Sequence, residues 1–125
     1  MKQYTVKVFD NRTEWFNQKD QLHRDGGLPA IEWADGTKEY YVNGKLHRDG
    51  GLPAIEWANG DKEYWINGKL HRDGGLPAIE WHEYKSYWIN GKQVTKEQAE
   101  KLAKPTCAGK VVEIDGRKYQ LKEIK

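Results

Sequence analysis

LHRDGGLPAIEWADGTKEYYVNGK (Leu22–Lys45) is followed at once by LHRDGGLPAIEWANGDKEYWINGK (Leu46–Lys69) and LHRDGGLPAIEWHEYKSYWINGK (Leu70–Lys92). The first two blocks have 24 residues and the third has 23. A fixed period in this range marks an array of small units, each unable to bury its apolar face alone. It also argues against an enzyme. A catalytic site needs one asymmetric set of different groups, whereas three copies of the same groups make a surface.

Inside each block the pattern is that of a hairpin. Ala30–Ala34 reads as a strand, Asp35-Gly36 as a two-residue turn, and Lys38–Val42 as the returning strand. Asn43-Gly44 and Gly26-Gly27 punctuate the ends, and Pro29 opens the strand where a missing N–H does no harm. A two-residue turn sets Ile31 opposite Tyr40 and Glu32 opposite Glu39. One face then carries Ile31, Trp33, Tyr40 and Val42, the other Ala30, Glu32, Glu39 and Tyr41. The two glutamates are an unfavourable pair, which Arg24 or Arg48 from the connecting loop can relieve. In the third block the expected turn is Glu83-Tyr84.

Working outward, residues 1–21 read as a worn copy of the same unit, with a turn at Asp10-Asn11 and Glu14-Trp15-Phe16 leading into Leu22. A degenerate terminal copy is typical of a capping repeat. The expected organisation is a repeat array over 1–92 (degenerate unit 1–21, then 22–45, 46–69 and 70–92) and a cap over 93–125. The array should be a meander of about eight strands. In the cap, Thr95 and Gln98 have capping-box spacing, and Ala99, Leu102 and Ala103 form an apolar stripe that Pro105 ends. Lys110–Ile114 and Arg117–Ile124 read as a last hairpin turning at Asp115-Gly116. Helix and hairpin together would cover an open sheet edge, which otherwise invites a homo-oligomer.

Composition agrees with a thin sheet. Leu, Ile, Val and Phe supply only 23 of 125 residues, about 18%, against 15 aromatic residues and a net charge of +2. The apolar mass therefore sits in Trp and Tyr, which suit a sheet with wet edges. Residues 1–92 hold 13 basic against 14 acidic side chains, and residues 93–125 hold 8 against 5. Neither balance suggests strong nonspecific nucleic-acid binding. Cys107 is the single cysteine, so no intramolecular disulfide is expected. With no His near it in sequence, a buried small apolar residue is the default reading. No apolar run is long enough to span a bilayer, and a reducing, cytoplasmic home is the simplest expectation.

The segment Tyr41-Val42-Asn43-Gly44-Lys45-Leu46-His47 with Gly50-Gly51, and its copy Trp65–His71 with Gly74-Gly75, resembles the MORN repeat and its bacterial variants. The match covers about three-fifths of the chain. It departs from the usual pattern in the Arg-Asp that follows each His and in the Leu-Pro. The resemblance implies an elongated, single-layer antiparallel sheet of successive hairpins that serves as a binding scaffold. Compact HRDGG arrays also look like proteins of bacteria and their phages. By that analogy the chain is an inhibitor or adaptor, including a phage-encoded inhibitor of a host defence protein, acting in the host cytoplasm.

His23-Arg24-Asp25 and its copies share three letters with the kinase catalytic loop. The chain lacks the glycine-rich phosphate loop, the Asp-Phe-Gly segment and the length for two lobes. Equivalent side chains two strands apart are separated by roughly 10 Å, too far for one metal ion with ligands at ~2.0–2.6 Å. No metal, cofactor or catalytic residue is assigned. Two uses remain for the arginines, as counter-ions for the glutamates or as anion-binding groups. Two remain for the aromatic rows, as ladder core or as stacking platforms. Because the rows Trp33/Trp57/Trp81 and Tyr41/Trp65/Trp88 are expected on opposite faces, one should be exposed. The candidate contact surface is Tyr41, Trp65 and Trp88 with Arg48, Arg72, His47 and His71, engaging a macromolecular protein partner. The alternative is a nucleotide or nucleic-acid binder, with arginines holding phosphates beside stacked bases.

Overall fold

Two kinds of tight turn, repeated in register, build the molecule. The computed structural model describes residues 4–103 in full and the backbone of 111–114 and 117–120. Cys107, Pro105 and the Asp115-Gly116 turn lie outside the described residues.

The first kind is a three-residue loop. The amide of Gly36 donates to the carbonyl of Trp33 at 3.0 Å, and that of Trp33 to the carbonyl of Thr37 at 2.9 Å. Gly36 has φ +99°. This is a type I turn closed by a left-handed glycine, and Asp35 locks it by accepting from the Thr37 amide at 2.8 Å. That bond holds the Asp35 carboxyl below its ordinary acidity range. The loop joins β3 (Ile31–Trp33) to β4 (Lys38–Glu39). Counting Ala34 into the turn shifts the expected register by one, so Ile31 faces Glu39 and Glu32 faces Lys38. The like-charge pair is replaced by an opposite-charge pair, which is reason enough for the longer loop. The second repeat copies this pairing between β7 (Ile55–Glu56) and β8 (Lys62–Glu63). The third joins β11 (Ile79–Trp81) to β12 (Tyr84–Ile89) through His82-Glu83 alone. The missing residue is therefore lost from the turn, not the ladder. Ile79 still faces Ser86, the counterpart of Glu39 and Glu63.

The second kind is an Asn-Gly hairpin. Asn43, Asn67 and Asn90 have φ near +50°, and the glycines after them near +80°. Both central residues are left-handed, as a type I′ turn requires. These turns link β5 (Tyr41–Val42) to β6 (Lys45–Leu46), β9 (Trp65–Ile66) to β10 (Lys69–Leu70), and β12 to β13 (Lys92–Val94). Asn-Gly thus makes a second hairpin in every repeat, where the sequence reading saw only an end marker. Each Asn-Gly turn is tied to the residue that opens its own repeat: the amides of Gly44, Gly68 and Gly91 donate to the carbonyls of Leu22, Leu46 and Leu70, all at 2.8 Å.

The main sheet has nine antiparallel strands, starting with the hairpin of β1 (Thr5–Val8) and β2 (Arg12–Phe16) at Asp10-Asn11. This sheet is the expected meander of about eight strands, with β13 as a ninth, and the Asn-Gly hairpins set β5, β6, β9 and β10 beside it. The N-terminal unit is a true structural copy: Glu14 faces Ile31 as Glu39 faces Ile55. The protein is mainly β, with α1 (Lys96–Ala103) following the array. Thr95 and Gln98 exchange the two bonds of a capping box, at 2.9 and 3.1 Å. Ala99 is buried, but Leu102 is 67% exposed, so the expected stripe is only partly packed. The last hairpin pairs β14 (Val111–Ile114) with β15 (Arg117–Gln120).

Candidate functional site

The corrected register puts both aromatic rows on one face. Ile31, Trp33, Glu39 and Tyr41 share it; Ala30, Glu32, Lys38 and Tyr40 share the other. The two faces differ in everything that matters for binding.

On the first face the rows meet at carboxylates. Glu39 accepts from the Trp33 indole at 2.6 Å and from the Tyr41 hydroxyl at 2.9 Å. Burial, with the Glu39 charge beside it, pushes the Tyr41 phenol far above its ordinary range. Glu63 is buried and accepts from three indoles: Trp57 at 3.3 Å, Trp65 at 3.1 Å and Trp81 at 3.2 Å. A buried carboxylate is costly unless hydrogen-bonded, and N–H donors to an ionised acceptor form the strong kind of bond. In the third repeat Ser86 takes over and accepts from Trp88 at 2.8 Å. These hubs fix the indoles by one edge and leave their other edges to solvent. Trp57 is 42% exposed, Trp81 41% and Tyr84 47%. Trp81 and Tyr84 touch, with ring centres 5.7 Å apart. Arg12 covers the N-terminal end of the row, 5.4 Å above Trp33.

On the second face the connecting loops fold back over the sheet. Arg48 lies 3.8 Å above the Tyr40 ring and donates to the Pro53 carbonyl and to Glu56, both at 3.1 Å. Arg72 repeats this over Tyr64, bonding Pro77 and Glu80. Arg24 does so over Trp15, bonding Pro29 and Glu32. Trp15 is thus the N-terminal counterpart of Tyr40. The alanines beneath, Ala30, Ala54 and Ala78, are fully buried, and burial raises the Tyr40 and Tyr64 phenols above the ordinary value despite the nearby arginines. Successive loops leave narrow grooves between them. One of about 290 Å³ runs past Leu28, Tyr40 and Leu52, and one of about 180 Å³ past Leu52, Tyr64 and Leu76.

The three histidines of the His-Arg-Asp segments are structural. His47 Nδ1 accepts from the Asn67 amide at 3.0 Å, so Nε2 carries the proton and donates to Asp49 at 2.8 Å. His71 holds Asn90 and Asp73 in the same way, and His23 holds Asn43 and Asp25. Both nitrogens of each ring are engaged, and among the described residues no three His, Cys, Asp or Glu side chains cluster as metal ligands.

The predicted contact set therefore divides. Tyr41, Trp65 and Trp88 lie on the aromatic face, half-buried against the hubs. Arg48 and Arg72 lie on the opposite face as counter-ions, and His47 and His71 brace the Asn-Gly turns. The register error separates them: a one-residue slip moves every side chain of a strand to the other face. Sequence reasoning missed Glu39 and Glu63 as hubs. The signal was available, since each stands two residues before an aromatic residue and so shares its face. No helix among the described residues is long and apolar enough to cross a membrane. No family model, curated protein or solved structure matches the chain.

Proposed function

We propose that the chain is a non-enzymatic protein-binding module that meets its partner with the aromatic face. One observation carries this: Trp57, Trp81 and Tyr84 are each more than 40% exposed on a sheet face that the described residues leave without a covering layer. Trp and Tyr are enriched in interface hot spots, and indoles held at one edge by Glu39 and Glu63 lose little further freedom on binding. Three like His-Asp pairs, each with both ring nitrogens engaged, support a scaffold and not a catalyst. The likeness of the repeat to MORN scaffolds points the same way, toward an inhibitor or adaptor. Nucleotide binding is less well supported. Arg24, Arg48 and Arg72 are committed to glutamates on the other face, and carboxylates stand where phosphate would follow a stacked base.

A photo-crosslinking residue at Tyr84, on the aromatic face, should trap a protein, while the same residue at Lys62, on the opposite face, should not. Trp57→Ser with Trp81→Ser should abolish the crosslink without changing circular dichroism. Equal trapping at both positions, or trapping that survives the double variant, contradicts the assignment.

A further inference from the structure

The loops Gly26–Leu28, Gly50–Leu52 and Gly74–Leu76 have one sequence and one backbone shape, with φ of +70° at Gly27, +70° at Gly51 and +72° at Gly75. Their surroundings differ. A Cβ built on Gly75 meets the Glu100 Cα at 3.1 Å and the Ala103 Cβ at 3.6 Å, so α1 lies directly on the third loop. At Gly27 and Gly51 no described residue comes within 4 Å. Gly75 is accordingly half-covered, while Gly27 and Gly51 are exposed. The positive φ alone accounts for glycine at all three places. What distinguishes the third loop is that a helix uses it, backbone against backbone, through Glu100 and Ala103 three residues apart.

We infer that the first two loops are docking platforms of the same kind, and that their occupant is a helix of a partner protein presenting a small residue where α1 presents Ala103. The spacing fits. Repeats follow one another at roughly 10 Å, two strands apart, and packed helices lie about 8–10 Å apart. A helix on Gly51 would therefore lie beside α1, and a second on Gly27 beside the first. Each open platform offers the guest an apolar side chain, Leu28 or Leu52, both 48% exposed. At the second, the Asp49 side chain is 92% exposed and favours a lysine or arginine on the guest. This surface belongs to the loop side of the sheet and does not depend on the aromatic face.

The probe is the peptide TKEQAEKLAK, the sequence of Thr95–Lys104, held helical by a lactam between Glu97 and Lys101. It is titrated to millimolar concentration into the isotope-labelled full chain. Saturable amide shifts are expected at Gly26–Leu28 and Gly50–Leu52. Gly27→Asn with Gly51→Asn should remove them, since asparagine tolerates positive φ and the space about each Cβ is open. If that variant melts early, Leu28→Ser with Leu52→Ser, at half-exposed side chains, makes the same comparison and should weaken binding several-fold. No saturable shift at either loop, shifts confined to Gly74–Leu76, or shifts unchanged in the folded variants would overturn the inference. Crosslinking at Tyr84 is unaffected by any of these results.

Discussion

The two faces of the sheet carry the same kinds of residue and use them in opposite ways. On the loop face, Tyr40 and Tyr64 are 7% exposed, each under an arginine that is itself held by a glutamate and a backbone carbonyl. On the aromatic face, Trp57 and Trp81 are held by a carboxylate and remain more than 40% exposed. The connecting segment His-Arg-Asp-Gly-Gly-Leu-Pro makes the difference. Its arginine reaches back over one face only, so one side of a single-layer sheet is sealed by the chain's own loops and the other is left open among the described residues. A thin sheet need not bury both faces if one of them is a surface for binding.

The sharpest way to break this comparison is to cut a ring from the sealed face. Tyr64→Ala should lose about 3–5 kcal/mol in denaturant titration, the usual cost of emptying an aromatic site in a core. A loss near 1 kcal/mol would mean that the loops do not seal that face. Next in size is the hub. Glu63→Ala removes one charged acceptor from three indoles and should lose about 2–3 kcal/mol, since hydrogen bonds to charged groups are the stronger class. The same variant should red-shift tryptophan emission, and an unshifted spectrum would show that the indoles are not held by Glu63. Trp57→Ala on the open face should lose only about 1–2 kcal/mol, in proportion to the half of its surface that is buried. If it costs as much as Tyr64→Ala, the two faces are energetically alike and the comparison fails.

A smaller effect should appear at high pH. The Tyr40, Tyr41 and Tyr64 phenols are all raised above their ordinary value of 10.0, chiefly by burial. A raised folded value means stability that is complete below the unfolded value and is lost as pH rises through the folded one. Melting temperature should therefore hold up to about pH 10 and fall above it, and ultraviolet titration should find late-ionising tyrosines. A melting temperature that stays flat through the alkaline range would contradict the burial of these rings.

Much of this was legible in the residues. The period, the Asp-Gly and Asn-Gly turns, the worn first unit and the Thr95–Gln98 capping box all act locally, and each appears where its chemistry requires. The register did not follow, because Asp35-Gly36 serves equally as a two-residue turn or as the end of a three-residue loop. Only the pairing of Glu32 with Lys38 instead of Glu39 separates the two, and that preference was present as an unfavourable charge pair. The candidate surface inherited the error. Arg48 and Arg72 fall beside Tyr41 and Trp65 only in the slipped register, which carries Glu39 and Tyr41 to the wrong face. The counter-ion role of the arginines survived, since it depends on their reach from the loop to Glu56 and Glu80 and not on the strand pairing. The seat of α1 on Gly75 had no local signal, because its contacts come from Glu100 and Ala103, remote in sequence and unremarkable in type.

Hydroxyl-radical footprinting of the native chain, read residue by residue in a mass spectrometer, tests the division of faces most directly. Trp57, Trp81 and Tyr84 should oxidise quickly, and Tyr40 and Tyr64 should be protected by an order of magnitude or more until the chain is unfolded. Equal rates for the two groups, or fast oxidation of Tyr40 and Tyr64, would contradict one sealed and one open face.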